Sequence, residues 1–261
     1  MAISKLNGVD VTDASTIQGV SGFSKIQGVD LAASASVYTL MDLVYEGATA
    51  SVSGSDVTAL TNAGNAGSNY DLTQVSAANR PILNTSDGNY NSQDTIVFDA
   101  TNSEFLDIDN NYIVDLDAGF SMFMVCNVDA AGVWMIGLGG AANNWFPIMA
   151  RTSSRVWIRG TSGPAQIECA PTVMTTPRIW YIYGNGTKKA AYVGDDGNEF
   201  SITATCGTVT NQYLGRIDTL YDDCVQAHYS ATPNLLSEAN VNIIGNELAA
   251  RFGKTWTAFT Y

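Results

Sequence analysis

The sequence is short of positive charge. Only 12 of its 261 residues are lysine or arginine, against 25 aspartates and glutamates, which gives a net charge of −13. Affinity for phosphate backbones comes mainly from clustered lysine and arginine, so this balance argues against nucleic acid as a partner. Anionic membrane surfaces are disfavoured for the same reason. We therefore expect no nucleic acid and no membrane insertion.

Long apolar runs and metal-ligand spacings are also missing. The apolar run at 120–126 is far too short to cross a bilayer. The first residues, MAISKLNG, lack the basic start and apolar run of a signal peptide, which predicts synthesis in a cytosol-like compartment. His228 is the only histidine and no C-x-x-C occurs, so no zinc site is expected and the thiols are predicted to be buried and reduced. The four cysteines are Cys126, Cys169, Cys206 and Cys224.

Three short repeats open the chain. SKLNGVD, STIQGVS and SKIQGVD begin at Ser4, Ser15 and Ser24. The alternation of apolar and polar residues around a glycine predicts a short strand, a glycine turn or bulge, and another strand. Such strands bury little surface alone, so residues 1–33 are predicted to form an anchoring and assembly arm that pairs with other chains. The alternative is one ordinary hairpin packed on the main body. The apolar positions of the arm are Leu6, Val9, Ile17, Val20, Ile26 and Val29.

The remaining chain is dominated by segments rich in β-branched and aromatic residues. They are DTIVFDA (94–100), GFSMFMVCNV (119–128), VWMIGLG (133–139), RVWIRG (155–160) and RIWYIYGNG (178–186). A hairpin is predicted at 190–204, with Asp196-Gly197 at its tip. Many short strands at near-regular spacing predict an all-β sandwich.

One segment near the C-terminus has helical rather than strand periodicity. Its apolar residues, Val241, Ile244, Leu248 and Phe252, recur at helical spacing. Ser237 is placed to cap the start and Gly253 to end the helix. The pattern predicts a single amphipathic helix over 237–252 that covers part of the sandwich.

Several motifs occur in the order found in a known family. SGSDVTALTNAGNAGSNYDLTQVSAANRPIL (53–83), TIVFDATNSEFLDID (95–109), NQYLGRI (211–217) and the terminal helix segment resemble laminin G / concanavalin A-like domains of phage virion structural proteins. The resemblance covers most of residues 37–256. It implies a concanavalin A-like (jelly-roll) β-sandwich with one C-terminal helix, preceded by the repeated β-arm.

The sequence contains no recognisable catalytic motif. Glycosidases on such scaffolds usually carry a strand of the type Glu-x-Asp-x-(x)-Glu, and Glu104 with Asp107 and Asp109 is only a partial match that is typical of an acidic turn. A Ser-His-Asp hydrolase would have to use His228, which is interpreted as a surface or packing residue. No P-loop and no dinucleotide fingerprint is found. We therefore expect no enzymatic activity and no cofactor.

Two groups of residues are candidate binding sites. In a strand over 155–159, Arg155, Trp157 and Arg159 share one face, which suits a glycan, a subunit interface or a plain surface stack. Oxygen ligands at Asp107, Asp109 and Asn111 could instead hold calcium, although aspartate and asparagine are expected in turns for local reasons. Turn chemistry is the favoured interpretation, and calcium is the alternative.

The sequence as a whole predicts a non-enzymatic structural protein of a phage virion. The chain would be a capsid decoration or fibre-head protein on the particle exterior, made in the host cytoplasm and anchored by its arm to other virion proteins. Exposed strand edges favour a homo-oligomer, and the resemblance favours a trimer. The first alternative is a tail-fibre module that binds a host-surface glycan, and the second is a glycan-cleaving enzyme.

Overall fold

The computed structural model describes residues 35–128, 155–169, 176–217 and 220–261, except the side chains at 109, 128, 211, 212, 217 and 220. It also describes the backbone of strands at 134–139 and 145–150 and of six short strands before residue 31. The chain divides into two compact units, Met1–Ala35 and Ser36–Tyr261. No helix in these described ranges is long and apolar enough to cross a membrane.

The first unit contains three hairpins, one for each repeat, and each of their strands is two residues long. Its strands are β1 (Lys5–Leu6), β2 (Val9–Asp10), β3 (Thr16–Ile17), β4 (Val20–Ser21), β5 (Lys25–Ile26) and β6 (Val29–Asp30). Within each repeat the two strands pair antiparallel, so the first apolar position always lies opposite the valine of the Gly-Val pair. The sequence between the paired strands is Asn-Gly or Gln-Gly, and short glycine-containing connections favour tight hairpins. The predicted pairs of short strands are therefore confirmed.

In the described part of the second unit, β-strands are the main secondary structure. Its first strands are β7 (Leu43–Glu46), β8 (Ala50–Ser53), β9 (Asp56–Leu60), β10 (Leu72–Thr73), β11 (Ile82–Asp87), β12 (Gln93–Phe98), β13 (Leu106–Asp115), β14 (Phe120–Val128), β15 (Trp134–Gly139) and β16 (Trp145–Ala150). The others are β17 (Arg155–Gly160), β18 (Gly163–Glu168), β19 (Arg178–Asn185), β20 (Lys188–Val193), β21 (Glu199–Thr203), β22 (Thr208–Leu214), β23 (Arg216–Ile217), β24 (Leu220–Tyr221) and β25 (Cys224–Thr232).

Helices are few and mostly short. The α-helices are α1 (Val37–Leu40) and α2 (Glu238–Phe252). Single 3₁₀ turns occupy Gly47–Thr49, Ser68–Tyr70, Ala77–Asn79, Gly88–Tyr90 and Ala100–Asn102. The predicted all-β sandwich with one substantial C-terminal helix is confirmed, and α1 is a one-turn addition that the sequence did not indicate.

The strands form two facing layers, and every described pairing is antiparallel. The first, which we call the covered layer, runs β21–β20–β19–β14–β25, and β25 pairs further with β7 and β12. The second, the open layer, runs β18–β17–β16–β15–β22–β13–β10–β9–β8. Strand β11 links them, because it pairs with β12 and, through Ile82 opposite Asp56, with β9.

The central strands of the covered layer, β14 and β19, are buried on both of their faces. Along β14, Met122 and Met124 belong to the core between the layers, whereas Phe123 and Val125 belong to a second core on the outer side. Helix α2 closes that second core with the apolar residues predicted from its periodicity. The sequence of a strand that is buried on both faces is a nearly continuous apolar run. FSMFMVC, in β14, is such a run.

Helix α2 begins and ends as its sequence predicts. Ser237 Oγ accepts a hydrogen bond from the amide of Asn240, and Gly253 adopts a left-handed conformation at φ 62°. Such a serine satisfies an amide that would otherwise have no partner in the first turn, and glycine adopts a positive φ without the strain of a side chain. The predicted span of 237–252 therefore holds to within one residue.

One local prediction is confirmed and one is wrong. The hairpin at 190–204 is formed by β20 and β21, and Asp196-Gly197 lies in the loop that follows the innermost pair, Tyr192 opposite Glu199. The acidic segment at Asp107 is not a turn that ends a strand. It lies within β13, where β10 and β22 both pair with it and a register shift absorbs the extra residues.

Candidate functional site

Strand β17 supplies the centre of the candidate site. Val156 and Ile158 are fully buried in the core, and Arg155, Trp157 and Arg159 are half-buried on the outer side of the open layer. This is the alternation that the sequence predicted. The structure thus places the three predicted residues together on one outward face.

Backbone register extends this face across six strands. One cross-strand row contains Asp107, Tyr213, Gly139, Trp145, Arg159 and Pro164. With neighbouring strands about 4.8 Å apart, the row is about 24 Å long. That length suits an extended ligand better than a single small molecule.

Arg155 is held in place by the neighbouring strand β18. Its Nη1 donates to Gln166 Oε1 at 3.0 Å, and its Nη2 donates to Glu168 Oε1 at 2.6 Å. The Glu168 side chain is 72% exposed, whereas that of Arg155 is 34% exposed. The guanidinium is therefore oriented by an amide and by a carboxylate that is largely in solvent.

An open groove continues the face beyond β18. Within the described residues β18 pairs only with β17, and β21 pairs only with β20, so the groove lies between two sheet edges. Its apolar lining suits the faces of sugar rings, and its polar lining suits their hydroxyls. The lining residues are Pro164, Gln166, Glu168, Phe200, Ser201 and Ile202.

The opposite end of the row is an aromatic cluster around Arg216. The Arg216 guanidinium lies 4.7 Å from the ring centroids of Phe105 and Tyr213 and 5.6 Å from that of Tyr221. A guanidinium stacked on aromatic faces is attracted to them electrostatically. The cluster joins Phe105, which precedes β13, to residues from β22, β23 and β24, so no short sequence motif predicts it.

Two carboxylates lie next to this cluster. Asn102 Nδ2 donates both to Asp99 Oδ2 at 3.1 Å and to Glu104 Oε1 at 3.3 Å. Glu104 is buried and its Oε2 accepts from the amide of Asp99 at 2.8 Å. Burial raises the pKa of Glu104 above its usual value, and the charges of Asp99 and Asp56 add to that effect, although its hydrogen bonds oppose it. The pair therefore combines a carboxyl that holds its proton more tightly with a more exposed neighbour.

Comparison with known proteins is informative at the level of the fold. No protein-family model matches the chain, and no curated protein matches it. Among solved structures, an arabinofuranosidase complexed with arabinofuranosyl-α-1,2-xylobiose aligns with a TM-score of 0.51 and 11% identity, over 76% of this chain and 51% of that one.

Two further solved structures are more distant. An α-L-arabinofuranosidase soaked with a cyclic sulfate inhibitor has a TM-score of 0.47 and 11% identity, over 76% of this chain and 51% of that one. Trypanosoma rangeli sialidase in complex with 2,3-difluoro-KDN has a TM-score of 0.45 and 7% identity, over 95% and 36%. The chain thus spans about half the length of the arabinofuranosidases and about a third of the sialidase. At these identities the similarity shows the fold.

This finding overturns two predictions. The solved structure that shares the fold at a TM-score of 0.51 is an arabinofuranosidase, so the predicted non-enzymatic structural protein of a phage virion is wrong, as is the prediction that the chain is not an enzyme. The expected glycosidase motif is an acidic pair along one strand. The grouped carboxylates Asp99 and Glu104 instead lie in the connection between β12 and β13.

The arm and the calcium ligands remain predictions. Side chains of the six apolar arm positions lie outside the described residues, so the predicted assembly role is untested. Asp107 is half-buried, Asn111 is exposed, and the side chain of Asp109 also lies outside the described residues. In the part of the chain whose side chains are described, no three histidine, cysteine or acidic residues are grouped to hold a metal ion.

His228 has the geometry of a hydrolase triad without its accessibility. Its Nδ1 donates to Glu46 Oε1 at 2.6 Å, and its Nε2 lies 2.8 Å from Ser230 Oγ. All three side chains are buried, and Arg251 of helix α2 donates to the same Glu46 oxygen. A nucleophile has to reach its substrate, so we interpret this group as a polar network that attaches α2 to the covered layer. This agrees with the interpretation of His228 as a packing residue.

Proposed function

We propose that the chain binds a glycan along the outer face of the open layer. The observation that supports the proposal is the position of Trp157 between Arg155 and Arg159 on a half-buried outward face that leads into the groove. An aromatic ring presents a flat apolar surface to a sugar, and flanking polar groups fix its orientation. The arabinofuranosidase that shares the fold is itself complexed with an oligosaccharide.

The test is Trp157→Ala in the full chain, assayed on immobilised arabinoxylan, galacturonate and sialyl oligosaccharides. We expect the wild-type protein to bind at least one of them and the variant to lose that binding. Ile243→Ala is the matched control, because Ile243 is 40% exposed on α2, away from the open layer, and its binding should be unchanged. Equal binding by wild type and Trp157→Ala would contradict the proposed site.

A second candidate function is cleavage of the bound glycan, favoured by the Asp99–Glu104 pair. One amide nitrogen bonds both carboxylates, which fits the short separation of a retaining glycosidase, about 5 to 5.5 Å, better than the 6.5 to 9.5 Å of an inverting one. A carboxyl whose pKa is raised can hold the proton that a general acid donates. Glu104, which is 4% exposed, would then be the general acid, and the half-buried Asp99 the nucleophile.

Aryl glycosides of arabinofuranose and of sialic acid test this candidate. Glu104→Gln should abolish release of the aryl alcohol and leave glycan binding intact, because the amide keeps the shape but holds no transferable proton. Glu238→Gln, in the first turn of α2, should behave as wild type. Hydrolysis that survives in Glu104→Gln would contradict the assignment, and NMR of the product anomer would check the expected retention.

We also propose a location for this site: the chain would be a glycan-binding module of a phage tail fibre. Support comes from the resemblance of residues 37–256 to phage laminin G-like domains and from the three hairpins of the arm. On this proposal the arm joins copies of the chain, as a trimer, to other virion proteins on the particle exterior. Light scattering of the full chain and of a variant lacking residues 2–31 would test the arm, since only the full chain should self-associate.

A further inference from the structure

We infer that the glycan bound on the open layer is acidic and that its carboxylate is received by the Arg155 guanidinium. The inference rests on the proposed glycan-binding function and specifies the class of sugar. It depends on three features of the face. They are the location of its positive charge, the orientation of the Arg155 guanidinium, and the side chains that already accept hydrogen bonds from that guanidinium.

The first feature is the concentration of positive charge. The chain has a net charge of −13, so its general field repels anions. Arg155 and Arg159 nevertheless lie four residues apart on one outward face, about 13 Å along the strand. Arg216 stacks on Tyr213, near the end of the cross-strand row that also holds Asp107. The positive charge of the face is therefore concentrated around β17. In the described strands β17 and β18 two arginines outnumber the one carboxylate, Glu168, and an acidic ligand would find a favourable potential there.

The second feature is the orientation of the Arg155 guanidinium. Gln166 accepts from Nη1 and Glu168 accepts from Nη2, so both terminal nitrogens face the same strand, β18. The planar fork of arginine matches the two oxygens of a carboxylate, which lysine cannot do. Because Gln166 already holds the fork, little rotamer freedom remains to be lost when a ligand binds.

The third feature is that one of the partners of Arg155 is a carboxylate. Glu168 lies in the lining of the groove, and its side chain is 72% exposed. Ion pairs at such exposed positions contribute little to stability, so Glu168 can swing into solvent at small cost. Its carboxylate shows the position that the acid group of a ligand would take.

The experiment compares acidic sugars with their own methyl esters. An oligogalacturonate and a sialyl oligosaccharide are titrated calorimetrically into the full chain, each beside the ester that masks its carboxylate. We expect the acid to bind more tightly than its ester, with a preference that weakens as salt is added. Arg155→Lys should bind the acid about ten-fold more weakly, the equivalent of one lost charged hydrogen bond, with the ester unchanged. Glu168→Gln should bind the acid more tightly.

Arg178→Lys is the matched control. Arg178 also contacts carboxylates, Asp195 at 3.3 Å and Asp196 at 3.6 Å, but it belongs to β19 of the covered layer. Its binding of acid and ester should equal that of wild type. Circular dichroism melting curves confirm that each variant is folded.

The outcomes separate this inference from the proposal on which it rests. Preference for the acid that is lost in Arg155→Lys supports both. Equal binding of acid and ester overturns the inference and leaves glycan binding intact. Failure to bind any of the four sugars overturns both, and an acid preference that Arg155→Lys retains overturns the role of Arg155.

Discussion

The two layers of the sandwich share one core but differ in what lies on their outer faces. The covered layer packs outward against helix α2, and its central strand β14 is apolar on both sides. On the open layer, β17 alternates strictly between buried aliphatic residues and half-buried Arg155, Trp157 and Arg159. The difference teaches that in this fold polar residues have opposite roles on the two sides. Beneath α2 they attach a helix to the layer, and on the open layer they form the outward face on which we propose that a glycan binds.

The largest expected change in stability is at Glu46, the acidic residue at the centre of the polar network that attaches α2. Its carboxylate accepts hydrogen bonds from Tyr38, His228 and Arg251. Glu46→Ala should lower the free energy of unfolding by about 3 to 5 kcal/mol, because it breaks a largely buried ionic network. His228 loses its carboxylate acceptor, and Arg251 keeps Glu247 as its only carboxylate partner. The exposed Glu168→Ala of the open layer should cost about 0.5 kcal/mol or less. Urea denaturation measures both, and similar losses would show that the two faces do not differ as described.

A smaller loss of stability is expected where α2 packs against the segment that follows it. Gly245 of α2 leaves room for Trp256, since a Cβ at that position would lie 2.1 Å from the indole Cε2. Gly245→Ala should therefore destabilise by about 1 to 3 kcal/mol, as over-packing typically does. Gly88→Ala is the control, because a Cβ there would have nothing within 4 Å. A melting temperature of Gly245→Ala equal to that of wild type would contradict the packing of the indole against α2.

The next effect is a dependence of stability on pH. Burial alone would raise the pKa of Glu46, but the hydrogen bond and charge of His228 and the charge of Arg251 outweigh it and lower the pKa. A carboxyl with a lowered folded-state pKa stabilises fully above its unfolded pKa of about 4.3 and loses that contribution as the pH falls through the folded value.

Melting temperatures from pH 7 to 2 test this for wild type and Glu46→Gln. The variant should start lower and fall less steeply in acid. It should not become flat, because the pKa of Asp117 is lowered as well: burial would raise it, and the amides of Cys206 and Gly207 and the ammonium of Lys189 outweigh that effect. Parallel curves for the two proteins would contradict the role of Glu46.

The smallest change in stability is expected on the open layer. Trp157→Ala removes a half-buried side chain that faces away from the core, so the free energy of unfolding should change by about 1 kcal/mol or less. The same variant should lose glycan binding. A large loss of stability would instead mean that Trp157 is a packing residue, and the distinction between the layers would weaken.

Local signals were enough to predict the elements that depend on local chemistry. Helix α2 was predicted to within one residue because Ser237 and Gly253 form its caps from adjacent backbone. The outward residues of β17 followed from strict alternation. Asp107 was misplaced because its surroundings are decided by β10 and β22, which are distant in sequence.

The site was less predictable than the fold, for the same physical reason. The Arg216 cluster takes its rings from Phe105, Tyr213 and Tyr221, and no spacing rule relates them. The Glu46–His228 contact joins residues 182 positions apart. A lone histidine could be interpreted as a packing residue, but its acidic partner could be found only once β7 and β25 were paired.

The burial of all four cysteines has a practical consequence for labelling. None forms a disulfide, all are buried, and burial raises the pKa of each thiol, that of Cys169 to about 12. Thiol-directed reagents attack the thiolate, so the native cysteines should be inert to maleimides at neutral pH. Ser201→Cys, in the groove lining, would then carry a single fluorophore without any native cysteine being removed. Its emission would report directly whether a sugar enters the groove.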